Sequence, residues 1–346
     1  VAPQEQAIHV IKRKERGKEL LNIEKIHEMV EYACEGIQGV SASQVEMNSG
    51  LQFFDGITTD EIQQILIKSA ADLISLENPN YQFVAARLLL FSLRKQVINR
   101  LWDHPHLYNH VKKCVDNGLY DKEILDLYDK RDFDRMENFI NHERDYTFTY
   151  AGLRQVIDKY LVQDRSNGEV YETPQFMYIL ISATIFARYP KNKRMAYVKK
   201  YYDAISTFKI NIPTPVMAGV RTPLKQYASC VLVDIDDTLA SIFSGDMAIG
   251  RYVAQRAGIG INAGRIRAIN SRIRGGEVQH TGVIPFLKKF EATVKCCTQN
   301  GVRGGSATVH FPIWHAEIKD IIVLKNNKGS EDNRVRKLDY SIQLSK

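Results

Sequence analysis

SCVLVDI (Ser229–Ile235), GIGINAGRI (Gly258–Ile266), ATVHF (Ala307–Phe311) and LDYSIQL (Leu338–Leu344) are four short runs rich in β-branched and aromatic residues. Such runs read as strands, and the stretches IPFLKKFEATVKCCTQ (Ile284–Gln299) and WHAEIKDIIVLK (Trp314–Lys325) read as helices between them. Strand-helix-strand order predicts parallel βα units. The last strand is followed by no helix that could cover it, so the region after Arg221 reads as part of an α/β domain rather than a whole one.

Upstream the texture is helical. HVIKRK (His9–Lys14) is a short strand-like opening with a turn at Arg16-Gly17. In ITTDEIQQILIKSAADLI (Ile57–Ile74), Thr58 and Glu61 have the spacing of a capping box, in which each side chain satisfies the other's backbone N–H at a helix start. Asn78-Pro79-Asn80 breaks the pattern, and YQFVAARLLLFSLRKQVI (Tyr81–Ile98) resumes it. From Ile98 to Gly219 the chain stays mostly helical, with breaks at Asn117-Gly118, Ser166-Asn167-Gly168 and Tyr189-Pro190. Pro213-Thr214-Pro215 is expected to stop helix and hold the backbone extended, because proline turns its predecessor away from the helical region.

A chain of 346 residues has room for two or three domains. Its 44% apolar and 25% charged residues exclude disorder and fibrous repeats. The formal charge of +7 favours anionic partners, nucleotides and nucleic acid alike. Five cysteines without a CxxC spacing speak against a disulfide framework or a zinc knuckle and for a reducing cytoplasm. The apolar stretch Phe176–Ala187 is shorter than the roughly 20 residues of a membrane span and reads as a buried helix. The N-terminal residues have no apolar core of the signal-peptide kind.

Several motifs carry chemistry, each with a plainer reading beside it. NGVRGG (Asn300–Gly305) lets backbone approach a ligand while Arg303 offers a planar cation, or it is a turn. Arg265, Arg267, Arg272 and Arg274 with Gly275-Gly276 form a basic loop that suits phosphate, nucleic acid or solvent. Cys230 opens a strand, as a packed thiol or as a redox group; Cys296-Cys297 reads as structural. Asp234, Asp236 and Asp237 serve as ligand groups or cap the following helix through Asp236 or Asp237. His142-Glu143 lacks the second histidine of a zinc motif, and no metal site is expected.

Taken together, PTPVMAGVRTPLKQYASC (Pro213–Cys230), QRAGIGINAGRIR (Gln255–Arg267), RGGEVQHTG (Arg274–Gly282), NGVRGGSAT (Asn300–Thr308) and VLKNNKG (Val323–Gly329) closely resemble the large subunit of class I ribonucleoside-diphosphate reductases, from about residue 10 to the end. The resemblance implies an ATP-cone at 1–96, a mainly helical region at 97–220, and at 221–346 the first half of a ten-stranded α/β barrel. It makes Cys230 one of two thiols that reduce the ribose and close to a disulfide, chemistry that suits a two-electron reduction. It assigns Thr214, Ser229, Gly258 and Arg303 to the substrate, Arg303 lying on a loop that relays effector identity. Asp237, Thr238, Leu239, Arg267 and Arg274 fall in the specificity-effector site. Lys12, Glu19, Asn22, Lys25, Thr59 and Lys95 fall in the cone, which departs from a bacterial relative at Gln63 and Ser92, where that relative has histidines.

The resemblance also implies partners and cofactors. ATP and deoxynucleoside triphosphates, with Mg, would act as effectors, nucleoside diphosphates as substrates, and no cofactor would be tightly bound in this chain. A small subunit would carry the metal-radical cofactor, thioredoxin or glutaredoxin would supply electrons, and the large subunit would dimerise, in the cytoplasm of a bacterium or phage-infected host. The family's radical cysteine and the partner of Cys230 lie beyond Lys346, so a split enzyme with a complementary C-terminal chain is expected, a truncated piece being the competing explanation. The alternatives are an inert nucleotide-binding regulatory module, in which Cys230→Ser is harmless, and a nucleic-acid binder, which would show steep salt dependence.

Overall fold

Thr58 and Glu61 form the anticipated capping box: Thr58 Oγ1 accepts from Glu61 N at 3.1 Å, and Glu61 Oε2 accepts from Thr58 N at 2.8 Å. The helix they start is one of many in a computed structural model that describes residues 8–12, 17–50, 52–298, 304–327 and 330–345. The chain divides into two units, Val1–Ile212 with Val220–Pro223, and Pro213–Gly219 with Leu224–Lys346.

The first unit begins with a small sheet of β1 (His9–Ile11), β2 (Lys18–Leu20) and β3 (Ile57–Thr58), ordered β2-β1-β3. Around it lie α1 (Ile23–Cys34), α2 (Ala42–Gly50), α3 (Thr59–Asp72) and α4 (Tyr81–Ile98). In α4, Tyr81, Val84, Leu88, Phe91 and further apolar residues are buried, making it the spine of this part. The unit continues through α5 (Leu107–Asp116), α6 (Glu123–Leu127), α7 (Lys130–Glu137) and α8 (Tyr150–Gln155), then a two-stranded ribbon of β4 (Gln163–Asp164) and β5 (Glu169–Val170). It closes with α9 (Pro174–Phe186) and α10 (Lys191–Ser206). Helix α9 is buried from Pro174 to Ala183, as its unbroken apolar sequence requires.

Two charged clusters lie inside this unit. Arg221 Nε donates to Glu172 Oε1 and Oε2 at 3.1 and 2.8 Å, and its Nη2 donates to Tyr160 O at 3.0 Å. Glu172 also accepts from Val162 N and Tyr120 Oη, both at 2.7 Å. Arg94 spans His142 O at 2.9 Å and Asp145 Oδ2 at 3.4 Å, while Asp145 Oδ1 accepts from Gln175 Nε2 at 2.8 Å. These ions are buried but hydrogen-bonded on several sides, which is the condition for tolerating them.

The second unit opens with α11 (Thr214–Gly219), where extended backbone was expected. Pro215 lies in the first turn, where a helix needs no N–H from it, so the proline begins this helix instead of preventing it. Next come β6 (Cys230–Asp234), α12 (Leu239–Ala254), β7 (Gly258–Asn262), a hairpin of β8 (Arg272–Ile273) and β9 (Val278–Gln279), α13 (Ile284–Cys296), β10 (Ala307–Pro312), α14 (Ile318–Ile321) and β11 (Asp339–Gln343). The four strands predicted from sequence pair in parallel, in the order β11-β10-β7-β6. The helix predicted over Trp314–Lys325 shrinks to the four residues of α14. Its N-terminal part is diverted because His315 and Glu317 turn their side chains to another loop, described below.

Strand alternation gives this sheet two unlike faces. Ile235, Ile259, Ile261, Val309 and Phe311 pack with α12 and α13 residues such as Ile249, Val253, Leu287 and Phe290 in one core. The opposite face carries Cys230, Leu232 and Asp234 from β6, then Gly258, Gly260 and Asn262, then Thr308 and His310, then Ser341 and Gln343. It is an incomplete α/β barrel: helices outside, and an inner side of glycine, thiol and polar groups with the exposed Leu232 among them. The sheet is open among the described residues, with β6 and β11 as its edges. Among those residues no helix is long and apolar enough to cross a membrane.

Candidate functional site

Cys230 is the first residue of β6 and is exposed. The strand register sets it opposite Gly258, the first residue of β7, and Gly258 N donates to Ser229 O at 2.9 Å. Three of the residues expected at the substrate thus meet at one end of two neighbouring strands. Thr214 stands elsewhere in the same unit, at the start of α11. Arg303 lies outside the described residues.

Along the inner face from Cys230 the surface is shaped by an absence of side chains. A Cβ on Gly260 would come 2.5 Å from Leu232 Cδ2 and 3.3 Å from His310 Nε2. Beyond it, Asp234, Asn262, His310 and Ser341 form one row across the four strands. Asn262 Nδ2 donates to Asp234 Oδ1 at 2.6 Å. Leu232, Val233, Gln343 and this row line a cavity of about 460 Å³. Asn262 and His310 sit inside motifs quoted from the sequence but were not singled out; the period-two alternation of GIGIN and ATVHF is the signal that could have found them.

The opposite strand ends gather most of the residues that the resemblance assigns to an effector. Thr238, not Asp236 or Asp237, caps α12: its side chain accepts from Ser241 N at 3.1 Å. Asp237 is thereby left to accept from Arg267 N at 3.0 Å and Arg267 Nε at 2.7 Å. Leu239 starts α12 and is exposed. Arg265 bridges Asp234 and Asp236 at 2.9 and 2.8 Å, and these carboxylates hold its guanidinium above the ordinary arginine pKa, the Asp236 hydrogen bond being the larger influence. Arg274 lies in the turn of the β8–β9 hairpin at φ 52°, beside Gly275 at φ 70°. Asp237, Thr238, Leu239 and Arg267 therefore cluster around one helix start, with Arg274 out along the hairpin.

In the first unit a cavity of about 460 Å³ is lined by Glu19, Asn22, Lys25, Thr59 and Lys95, five of the six residues expected there. The sixth, Lys12, pairs with Glu19 at 2.6 Å, and that hydrogen bond holds the Glu19 carboxyl below its usual pKa. Asn22 Oδ1 caps α1 by accepting from Lys25 N at 3.0 Å. Gln63 also lines the cavity, but its Nε2 is committed to Leu88 O at 2.9 Å. Sequence reasoning missed the aromatic wall, in which Tyr32 meets Trp102 edge-on at 4.6 Å and Phe91 at 5.6 Å. An aromatic wall with lysines and a helix N-terminus suits a flat base and an anionic tail. No cluster of three or more histidine, cysteine or acidic residues suited to a metal occurs among the described residues.

Comparison with known proteins matches these units to families. Residues 8–96 match the ATP cone domain, residues 146–225 the all-alpha domain of ribonucleotide reductase, and residues 228–346 its barrel domain. The alpha subunit of ribonucleoside-diphosphate reductase from Haemophilus influenzae is 54% identical over 337 residues, 97% of this chain and 44% of that protein. The Escherichia coli reductase 1 alpha subunit is 52% identical over 337 residues with the same coverage, and the phage T4 alpha subunit 46% identical over 324 residues, 93% of this chain and 42% of its own. The chain spans a little under half the length of these relatives. With cone, all-alpha and barrel matches in order along it, the chain belongs to the ribonucleotide reductase large-subunit family and corresponds to its N-terminal part.

Proposed function

We propose that this chain supplies the effector-binding parts and half of the substrate site of a ribonucleoside-diphosphate reductase. The observation that carries the reading is the inner face of the open sheet, where exposed Cys230 meets Ser229 and Gly258 at one end and a cavity of about 460 Å³ opens further along the same strands. In the proposed step the ribose 2′-hydroxyl leaves as water and a hydrogen takes its place. Cys230 and a second cysteine from the remaining barrel supply two electrons and two protons and close to a disulfide. Gly258 and Gly260 keep the inner face clear for the sugar, and Thr214 and Arg303 complete the substrate contacts. The radical that starts the reaction would come from a small subunit bearing a metal-radical cofactor, and thioredoxin or glutaredoxin would reduce the disulfide, in the cytoplasm.

In the same reading residues 1–96 form the overall-activity cone, 97–220 the helical region and 221–346 the half-barrel. Lys12, Glu19, Asn22, Lys25, Thr59 and Lys95 hold ATP or dATP with Mg in the cone. Asp237, Thr238, Leu239, Arg267 and Arg274 hold the deoxynucleoside triphosphate that selects the base. The exposed stripe Leu239, Phe243 and Met247, spaced four residues apart on α12, supports dimerisation beside that site. The test is to combine the chain with the remaining barrel segment and the small subunit and to assay deoxynucleotide formation. Product that requires all three supports the reading. Product formed equally well by Cys230→Ser with thioredoxin as reductant refutes it and favours the regulatory module.

A further inference from the structure

The loop between Ile266 and Val283 carries Arg267, Arg272 and Arg274, yet its sequence is glycine-rich, polar and short of apolar anchors. A loop of that composition holds one shape only if something fixes its two ends. The structure shows what does. Glu317, 4% exposed, turns one carboxylate oxygen onto both ends, accepting from Ile269 N at 2.9 Å and from Val283 N at 3.1 Å. Two residues earlier, His315 Nε2 donates to Ile266 O at 2.8 Å. Its Nδ1 accepts from Glu317 N at 3.2 Å, so both bonds require the same neutral tautomer. Gly282 makes room for the clamp: it sits at φ 88°, and a Cβ there would lie 2.6 Å from Glu317 Oε1. Within the loop, Asn270 N donates to His280 O and His280 N to Ser271 O, each at 2.9 Å, closing the hairpin above the clamp.

We propose that His315 and Glu317 are positioning residues that fix the effector hairpin and tie its state to β10. The hairpin hangs between two carboxylates: Asp237 before α12 holds Arg267, and Glu317 after β10 holds Ile269 and Val283. Strand β10 begins at Ala307, four residues after Arg303 in sequence, and ends at Pro312, where a turn closed by His315 N donating to Pro312 O at 3.0 Å leads to His315 and Glu317. A ligand that shifts the hairpin therefore bears on the turn that follows β10. Effector binding acts through a difference in affinity between alternative arrangements, and this clamp supplies a physical connection between them. The inference rests on the proposed effector site for its ligand, but the clamp itself is read without one.

The experiment uses the full chain, with hydrogen exchange of peptides covering residues 267–283 measured with and without dTTP and Mg. Without ligand, Glu317→Ala is expected to speed exchange of these peptides about tenfold or more, since two buried N–H groups lose a charged acceptor. Glu317→Gln, which keeps an acceptor oxygen, is expected to stay within about threefold of the parent, and dTTP affinity to follow the same order. Unchanged ligand-free exchange in Glu317→Ala, equal losses in both variants, or a parental dTTP affinity in Glu317→Ala would overturn the proposal. If Glu317→Ala fails to fold, Gly282→Ala decides: it must speed hairpin exchange by displacing the carboxylate, and parental exchange overturns the clamp. A parent chain whose hairpin dTTP does not protect refutes the effector-site reading alone, while the ligand-free comparison still judges the clamp.

Discussion

Glu172→Gln tests whether the first unit is organised around its buried ion pair. Both partners are fully buried, and Glu172 accepts from Arg221, Tyr120 and Val162. Glutamine keeps the shape but removes the charge and turns an NH2 toward other donors, so the Arg221 guanidinium loses the carboxylate that both its Nε and Nη2 engage. Breaking a buried pair on one side costs about 3–5 kcal/mol, whereas replacing both partners by apolar groups is often nearly neutral. Glu172→Gln should therefore lower the unfolding free energy of this unit by about that amount. Adding Arg221→Met should recover about half of it or more, a coupling that a double-mutant cycle isolates. The two tryptophans make the assay selective, since Trp102 lies in the first unit and Trp314 in the second. In a Trp314→Phe background, urea unfolding followed by fluorescence reports the first unit. A loss under about 1 kcal/mol, or a double variant no more stable than the single, would refute the reasoning.

Acid should weaken the same unit. Burial pushes His104 and His110 down to about 4 and His142 to about 3, so each protonates more readily unfolded, and stability is lost as pH falls from about 6.5 through those values. Asp145, raised to about 6 by burial, works in the opposite sense between about 6 and 4, but it is one group against three. A lower melting temperature at pH 5 than at pH 7 is expected, with a flatter profile for His110→Gln; a pH-independent melt would contradict it. In the cone, Lys25→Ala should weaken ATP binding about tenfold, read by the change in Trp102 fluorescence, and an unaltered titration would remove that lysine from the site. Gly264→Val should destabilise the second unit by about 1–3 kcal/mol, because a Cβ there would lie 2.4 Å from Cδ of the rigid Pro312 ring, measured by Trp314 fluorescence in urea; a neutral effect would mean that this strand end yields more readily than described.

How far the sequence could be read depended on how local the deciding interactions are. Four strands, the capping box and the buried α9 were legible because alternation, a three-residue spacing and an unbroken apolar run each act within a few residues. The errors arose where a distant partner decides. Trp314–Lys325 has helical composition, yet His315 and Glu317 are drawn to Ile266, Ile269 and Val283, which are far away in sequence. Asp237 looked like a cap because aspartate commonly is one, but Arg267 claims it and Thr238 takes the cap. Pro215 misled for the opposite reason: a proline that ends one helix is also at home in the first turn of the next. Of the site, the Cys230–Ser229–Gly258 grouping follows from strand register, whereas the aromatic wall of Tyr32, Phe91 and Trp102 is assembled from separate segments that no motif links.

The most direct measurement of the central claim is the redox state of Cys230 after one turnover. Combine the reduced chain with the remaining barrel and the small subunit, supply a nucleoside diphosphate and effector without external reductant, quench, and map disulfides by mass spectrometry. If Cys230 is one of the two reducing thiols, it will be found joined to a cysteine of the remaining barrel in proportion to the deoxynucleotide formed. Deoxynucleotide produced in that amount with Cys230 still a free thiol would contradict the account.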